Sequence, residues 1–510
     1  MYCMAKRAKL SDEDRGFFDL VSRAAFCNPF GEERVQLDLK IAGCRAGTPH
    51  DERIDIIIKR VQERILRLAA DGRADLRLYP AEDRKNLQAA FMFDIFHRVS
   101  RRFDTLIQDQ IKFGQDPCPV PFARETLAMF FERGFSIPES IRFFAMLYQI
   151  RRAFYFINRS LIGSSPSMSQ LRLHLWNNVF THDIRWYEQY LWNRMEDFST
   201  LLLGETGTGK GTAAAAIGRS GFIPYDEKKG CFAESFTRNF IAINLSQFAE
   251  SLIESELFGH KKGAFTGAVE HHQGVFSRCT PHGSIFLDEI GDISVPIQVK
   301  LLQVLQDRTF VPVGSHQQLR FSGRVIAATN RPLDELRRRD QFREDLFYRL
   351  CSDVIVVPSL RQRLREESEE LDRMIGPVVT RIVGEGSEEL VQMVREVIEN
   401  ELGPGYSWPG NVRELEQAVR RILLTRRISP DSGKDQSQDF TPRQFSRIEN
   451  GEMSARELLE KYCMLLYEKF GTYEEVSRRT RLDRRTVKKY ILCGQKVWQD
   501  SLESTTEELR

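Results

Sequence analysis

Leu201-Leu202-Leu203-Gly204-Glu205-Thr206-Gly207-Thr208-Gly209-Lys210-Gly211-Thr212 is the stretch from which the rest of this chain is read. An apolar run suits a buried strand, a glycine-rich loop follows, and Ala213–Ala216 begins a helix. That order matches a phosphate-binding loop. Glycines let backbone N–H groups approach phosphates, the helix N-terminus adds positive potential, and the lysine reaches the outer phosphates. Residues 204–212 are therefore read as a nucleotide site. One departure stands inside it. The hydroxyl residue that usually follows the lysine and ligates Mg²⁺ is Gly211, with Thr212 one position late.

Composition bounds the rest. At 510 residues the prior is about three domains. A formal net charge of +2 with 41% apolar and 29% charged residues is ordinary for a globular protein, so any nucleic-acid surface must be local. Nine cysteines lie scattered without C-x-x-C spacing, which suits reduced thiols in the cytoplasm and argues against a metal centre. His271-His272 is the one close histidine pair, and adjacent histidines on a loop read as solvated. No apolar run reaches the roughly 18 residues of a membrane span, and no signal-peptide core is evident.

Residues 1–160 read as a helical region. Ile54, Ile57, Ile58, Val61, Ile65 and Leu68 recur at helical spacing before Gly72, and Leu87, Phe91, Ile95, Val99 and Phe103 repeat the pattern. The aromatic stretch Phe130–Phe156 fits helices broken near Gly134 and Pro138, its rings forming a packed core rather than a ligand pocket. A turn-rich segment, Leu161–Pro166, leads into a helix over Leu171–Leu191. Short β-like runs then alternate with helical ones: Phe240–Leu245, Ser284–Leu287, Arg324–Thr329 and Asp353–Val357. Alternation of this kind predicts a parallel sheet covered on both faces. Residues 360–427 are helical again, 428–452 are a polar linker, and 453–510 carry a compact helical pattern.

Two further stretches carry chemistry. Ser284-Ile285-Phe286-Leu287-Asp288-Glu289 is an apolar strand ending in two carboxylates. A nucleotide hydrolase needs one carboxylate to hold Mg²⁺ and another to orient the attacking water, roles that fall to Asp288 and Glu289. With no hydroxyl at Gly211, Asp288 carries more of the metal than usual. The second stretch is Gly263-Ala264-Phe265-Thr266-Gly267-Ala268. Glycines bracket an apolar anchor, which suits either a loop that changes conformation while presenting Phe265 or an ordinary hairpin with a buried ring.

These motifs, in this order and with Trp408-Pro409-Gly410-Asn411-Val412-Arg413-Glu414-Leu415 after them, resemble the AAA+ central domain of bacterial sigma-54-dependent transcriptional activators. The resemblance covers about residues 161–424 and includes the family's GAFTGA loop at 263–268. It implies an ATP-driven hexameric ring whose Gly263–Ala268 loops contact the sigma-54 RNA polymerase holoenzyme and remodel its closed promoter complex. By the same resemblance, Asn244 holds the catalytic glutamate until nucleotide engages it, and Asn330 is the sensor of the γ-phosphate. Arg343 and Arg349 are the fingers that reach a neighbouring subunit's ATP, and Arg413 is the second sensor on a lid at about 360–427. Where most members have a glutamate after the lysine, this chain has Gly211, and Trp176–Phe198 is longer than usual.

The tail reads on its own terms. Ser454–Phe470 is an amphipathic helix ended by Gly471, Thr472 caps a second, and Asp483 caps a third starting at Arg484. Between Thr472 and Tyr490, seven basic residues stand against three acidic ones. That local excess suits phosphate contacts to double-stranded DNA, with Arg484, Arg485, Thr486, Lys488 and Lys489 as the candidates. The tail also resembles the Fis-like helix-turn-helix that ends many members of the family and binds enhancer DNA. The expected architecture is thus a helical regulatory region (1–160), an α/β AAA+ P-loop domain with a helical lid (161–427), a linker and an all-α helix-turn-helix domain (453–510). Two rivals stay open from sequence: a remodelling AAA+ ATPase that does not act on sigma-54, and a DNA-binding regulator that does not hydrolyse ATP.

Overall fold

Helical periodicity before residue 160 becomes helices α1 (Asp12–Phe26), α2 (Glu32–Ala42), α3 (His50–Ala70), α4 (Ala81–Phe113), α5 (Ala123–Glu132) and α6 (Ile137–Ser160) in the computed structural model, which describes residues 8–403, 405–428 and 453–491. The expected stripes are the buried ones: Ile57, Val61, Ile65 and Leu68 on α3, and Leu87, Phe91, Ile95, Val99 and Phe103 on α4. The break after α5 falls at Gly134, whose φ is 86° and where a Cβ would stand 2.2 Å from Asp75 Oδ1. α6 restarts through a capping box. Ser136 Oγ accepts from Glu139 N, and the Ser136 N–H donates to the Glu139 carboxylate at 2.9 Å. Phe130, Phe135, Phe143 and Phe144 pack as the helical core that the sequence suggests. Phe154 instead helps to line a cavity.

α7 (Pro166–Phe180) is capped by Ser165 and stops at Thr181, where φ is 64°. The helix expected through Leu191 is therefore interrupted. Asp183 accepts from Arg185 N at 2.8 Å and starts a new single turn, α8 (Ile184–Trp186).

The sheet follows. β1 (Thr200–Leu203) runs into the loop and α9 (Lys210–Gly218), and a small hairpin of β2 (Tyr225–Asp226) and β3 (Cys231–Phe232) comes next. Then come β4 (Phe240–Asn244), α10 (Glu250–Phe258), α11 (Val275–Arg278), β5 (Ser284–Asp288) and α12 (Val295–Asp307). A second hairpin, β6 (Thr309–Phe310) with β7 (Leu319–Arg320), precedes β8 (Arg324–Thr329), α13 (Leu333–Arg338), α14 (Glu344–Leu350), β9 (Asp353–Val356) and α15 (Leu360–Glu366). The main sheet has the order β4-β5-β8-β1-β9, and its paired neighbours are all parallel. β8, buried along its whole length, pairs Ala327 with Leu201 on one side and Leu287 on the other. Parallel strands covered on both faces read as continuous apolar runs, which is why the interior strands β1, β5 and β8 are legible in the sequence. The carboxyl ends of β1, β5 and β8 therefore open side by side, where such sheets place ligands.

The described residues fall into two compact units, one within Met1–Arg373 with Gly410–Arg413, the other within Met374–Pro409 and Glu414–Arg510. In the first unit the packing has no seam at residue 160: one apolar core takes in Phe18, Phe91, Phe144 and Ile157 together with Ala213, Ala216 and Phe286. The change near Leu161 is a change of pattern, from helical to alternating, within continuous packing. The second unit holds most of α16 (Glu370–Val383), α17 (Glu388–Leu402) and most of α18 (Asn411–Thr425). It also holds the tail helices Ala455–Phe470, Tyr473–Thr480 and residues 484–491. Cys463, Leu466, Val476, Val487 and Ile491 form the core of the tail. The linker expected at 428–452 lies, past Ile428, outside the described residues.

Candidate functional site at the carboxyl ends of β1, β5 and β8

The glycine loop owes its shape to contacts that only glycine permits. Gly207 has φ 81°, and a Cβ there would meet the Gly410 carbonyl oxygen at 2.3 Å. The loop is clasped at that point, with the Val412 N–H donating to the Gly207 carbonyl at 3.0 Å. Gly209, with φ 102°, precedes α9, whose first residue is Lys210. Lys210 Nζ donates to the Gly204 and Glu205 carbonyls at 2.9 and 3.1 Å. Burial lowers the lysine pKa, with Glu289 and Asp288 pulling the other way. Thr208 Oγ1 donates to the Glu205 carbonyl at 2.9 Å, while Gly211 and Thr212 are exposed at the start of the helix.

Asp288 ends β5 in register with Asn244, and Glu289 follows in the left-handed region at φ 57°. A glutamate rarely adopts that conformation, which marks a position held by its surroundings. Burial pushes the Asp288 carboxyl above its ordinary range, against the attraction of Lys210. A half-buried carboxylate that needs more positive charge than its neighbours supply fits a Mg²⁺ ligand, the remaining positions going to phosphate oxygens and water. Asn330, just beyond β8, connects the parts. Its side-chain amide donates to Thr206 Oγ1 at 2.8 Å, and its backbone N–H donates to Glu289 Oε2 at 3.3 Å.

Two residues of the site escape sequence reasoning. Asn411, fully buried with φ 54°, donates through Nδ2 to Glu205 Oε2 and the Thr206 carbonyl at 3.2 and 3.0 Å. Its Oδ1 accepts from Leu360 N at 2.8 Å. Arg361 forms a two-pronged ion pair with Glu205, one bond at 2.8 Å. Although burial alone would raise it, the Glu205 pKa is lowered by the Arg361 and Asn411 bonds. Asn411 stands inside the quoted Trp408–Leu415 motif, which could have pointed to it. Nothing in the sequence marks Arg361.

The other candidates separate. Arg413 is exposed beside the loop, its charge felt at both Lys210 and Asp288. Asn244 does not touch Glu289 here, because its Oδ1 accepts from Ser246 N at 3.0 Å. Arg343 pairs with Asp345 at 2.6 Å on the surface. Arg349 turns into its own chain and donates to the Leu305 carbonyl at 3.0 and 2.8 Å. The 263–268 loop is closed at its base, Gly263 N donating to the Ala268 carbonyl at 2.8 Å. Its glycines have φ of 81° and 103°, with nothing near their missing Cβ, so backbone conformation alone demands them. Phe265 is 38% exposed at the tip and edge-on to His260, so its ring is not buried.

A model of the sigma-54 interaction domain matches residues 184–356. The sigma54-dependent transcriptional activator SfnR of Pseudomonas putida is 39% identical over 287 residues, 54% of this chain and 71% of that protein. This chain belongs to the sigma-54-dependent transcriptional activators. The Nif-specific regulatory protein of Klebsiella pneumoniae is 37% identical over 265 residues, 52% of this chain. The chain spans only 44% of that relative's length. Among solved structures, NtrX from Brucella abortus aligns with a TM-score of 0.40 and 20% identity, covering 73% of this chain and 80% of that one.

In the activator's tail, Asp483 accepts from Arg485 N and Thr486 N, both at 3.0 Å, and caps the last helix as its sequence suggests. Thr486 is consumed by that cap and Arg484 is paired with Glu474 at 2.7 Å. Arg485, Lys488 and Lys489 are exposed. Among the described residues no cluster could hold a metal ion by protein ligands alone, and no helix is long and apolar enough to cross a membrane.

Proposed function

We propose that this activator hydrolyses ATP in a hexameric ring and uses the cycle to remodel the sigma-54 polymerase closed complex at enhancer-controlled promoters. The observation that carries the reading is the bridge made by Asn330, which joins loop residue Thr206 to Glu289. Nucleotide bound on the Gly204–Thr212 loop would compete for the same groups, so phosphate and glutamate are read by one residue, through its side-chain amide and its backbone N–H. Lys210 leaves the loop carbonyls for the outer phosphates, Asp288 is the residue to hold Mg²⁺, and Glu289 orients the attacking water. Mg²⁺, when bound, offsets phosphate charge. Arg413 is exposed to meet phosphate charge, whereas Arg343, reaching toward a neighbouring subunit, must first leave Asp345 and Arg349 must first leave the Leu305 carbonyl.

Phe265 is the proposed grip on sigma-54, and residues 453–510 form the helix-turn-helix that docks on DNA through Arg485, Lys488 and Lys489, with residues 1–160 as the regulatory region. The test is co-migration of the purified chain with sigma-54 in the presence of a hydrolysis transition-state analogue, wild type beside Phe265→Ala. Complex formation by the wild type and its loss in the variant is expected. A wild type that hydrolyses ATP yet never binds sigma-54 would sink the partner assignment.

A further inference from the structure

Between α1–α4, α6 and α7 lies a cavity of about 790 Å³, remote from the nucleotide site and within the range of small-molecule pockets. Phe26, Phe93, Phe96, Phe154 and Trp176 line it, so its walls are largely aromatic. Its central polar group is the half-buried His97, whose ring packs against Phe93 and Phe96 and makes no hydrogen bond to the protein. His97 lies deep in the fold yet keeps accessible surface, because that surface faces the cavity. Burial, followed by Arg34 and Arg151, holds its pKa down to about 3, with Asp94 opposing. The ring is therefore a neutral imidazole with one donor and one acceptor on offer.

Charge selects the ligand class. Arg34, Arg101 and Arg151 line the cavity against Asp51, Asp55 and Asp104. The two arginines nearest His97 are already engaged, Arg34 with Asp38 at 2.8 Å and Arg151 with Asp104 at 2.7 Å. With three arginines against three aspartates, the wall has no net charge and gives no reward to a net charge on the ligand, and burying one there carries a desolvation cost.

The cavity also shares a wall with the nucleotide machinery. On α6, Arg151 belongs to the cavity, while its neighbour Arg152 is 1% exposed and reaches the other way. Arg152 donates to the Arg219 and Gly221 carbonyls at 2.8 and 2.6 Å, and Gln149 donates to the Ser220 carbonyl at 3.0 Å. Those carbonyls belong to the C-cap residue and the turn directly after α9, the helix that begins with Lys210. We propose that this cavity binds an uncharged, mainly aromatic small molecule bearing one hydrogen-bonding head group, and that α6 transmits its occupancy to the phosphate-loop helix.

The probe is 2-naphthol, titrated by fluorescence into the full-length chain. Expected are saturable binding near one per chain and a loss of at least about tenfold in Ala25→Trp, which fills the cavity. His97→Phe keeps the volume but removes the hydrogen bond and should weaken binding several-fold, with thermal melting confirming that both variants fold. Absence of saturable binding, or equal affinity in both folded variants, overturns the site. Tighter binding of 2-naphthoate than of 2-naphthol overturns the uncharged head group. Transmission rests on the hydrolysis reading above: saturating 2-naphthol should change the ATPase rate at least about twofold in the wild type and leave Ala25→Trp unmoved. Binding without a rate change overturns transmission alone, and a chain that binds the probe but hydrolyses no ATP fails the earlier reading, not the site.

Discussion

The two ends of helix α9 are built from opposite materials. At its start, Lys210 faces two carboxylates across an open crevice, the loop before it carries left-handed glycines, and Gly211 adds no side chain. At its finish, Arg152 and Gln149 from α6 hold the carbonyls of the C-cap and the turn that follows, with Phe156 and Phe236 nearby. One end is arranged to change partners when a polyanion arrives, and the other is arranged to hold still. A helix can report on a ligand only if something anchors its far end, and here the anchor comes from the region that carries no recognisable motif.

The sharpest test of the open end is Glu289→Gln. Removing the water-orienting carboxylate should cut ATP hydrolysis by roughly 10²–10⁴ while leaving nucleotide binding in place. Equal rates would exclude the catalytic assignment and favour a non-hydrolysing regulator. At the closed end, Arg152→Ala strands two partly buried carbonyls and leaves a cavity where a fully buried side chain stood, a loss of about 3 kcal/mol by denaturant titration. A cost below about 0.5 kcal/mol, the size of a surface change, would show that the brace is incidental.

His97 tests the same rigid region by pH. Its folded pKa of about 3 lies below the ordinary 6.5, so protonation favours the unfolded chain. The cost is absent well above pH 6.5 and grows as pH falls toward the folded value, reaching about 2 kcal/mol at pH 5. Denaturation at pH 7 and pH 5 should differ by that much more in the wild type than in His97→Phe, and an identical pH response in the two would refute the burial of a neutral ring. The smallest expected effect returns to the open end. The nearest atom to a Cβ on Gly211 would be Phe286 Cε1 at 3.8 Å, an ordinary contact, so nothing in the packing demands glycine. Gly211→Ala should raise stability by about 0.5–1 kcal/mol, and a loss instead would mean that the first turn of α9 depends on the glycine.

Legibility followed the range of the interactions. Strands β1, β5 and β8 are written locally, because a strand covered on both faces has to be largely apolar, and the edge strands β4 and β9 also leave apolar runs although they are partly exposed. The stripes on α3 and α4 are equally local, and so is the Asp483 cap. The helix expected through Leu191 breaks at Thr181, where a left-handed residue and a new cap at Asp183 override the periodicity. The family resemblance gives Asn244 and Arg349 their expected roles, while which groups they meet in the folded chain, Ser246 and the Leu305 carbonyl, is not legible from the motif.

By itself, then, the sequence determined the phosphate loop, the carboxylate pair, the Gly263–Ala268 turn and the alternation that makes a parallel sheet. Each depends on backbone conformations or side chains within a few residues of one another. Only the tertiary structure decided that Asn411 and Arg361 clasp Glu205, that Asn330 links Thr206 to Glu289, and that α6 braces α9 beside an aromatic cavity. Those contacts join residues far apart along the chain, and no local spacing encodes where a helix face will find its partner.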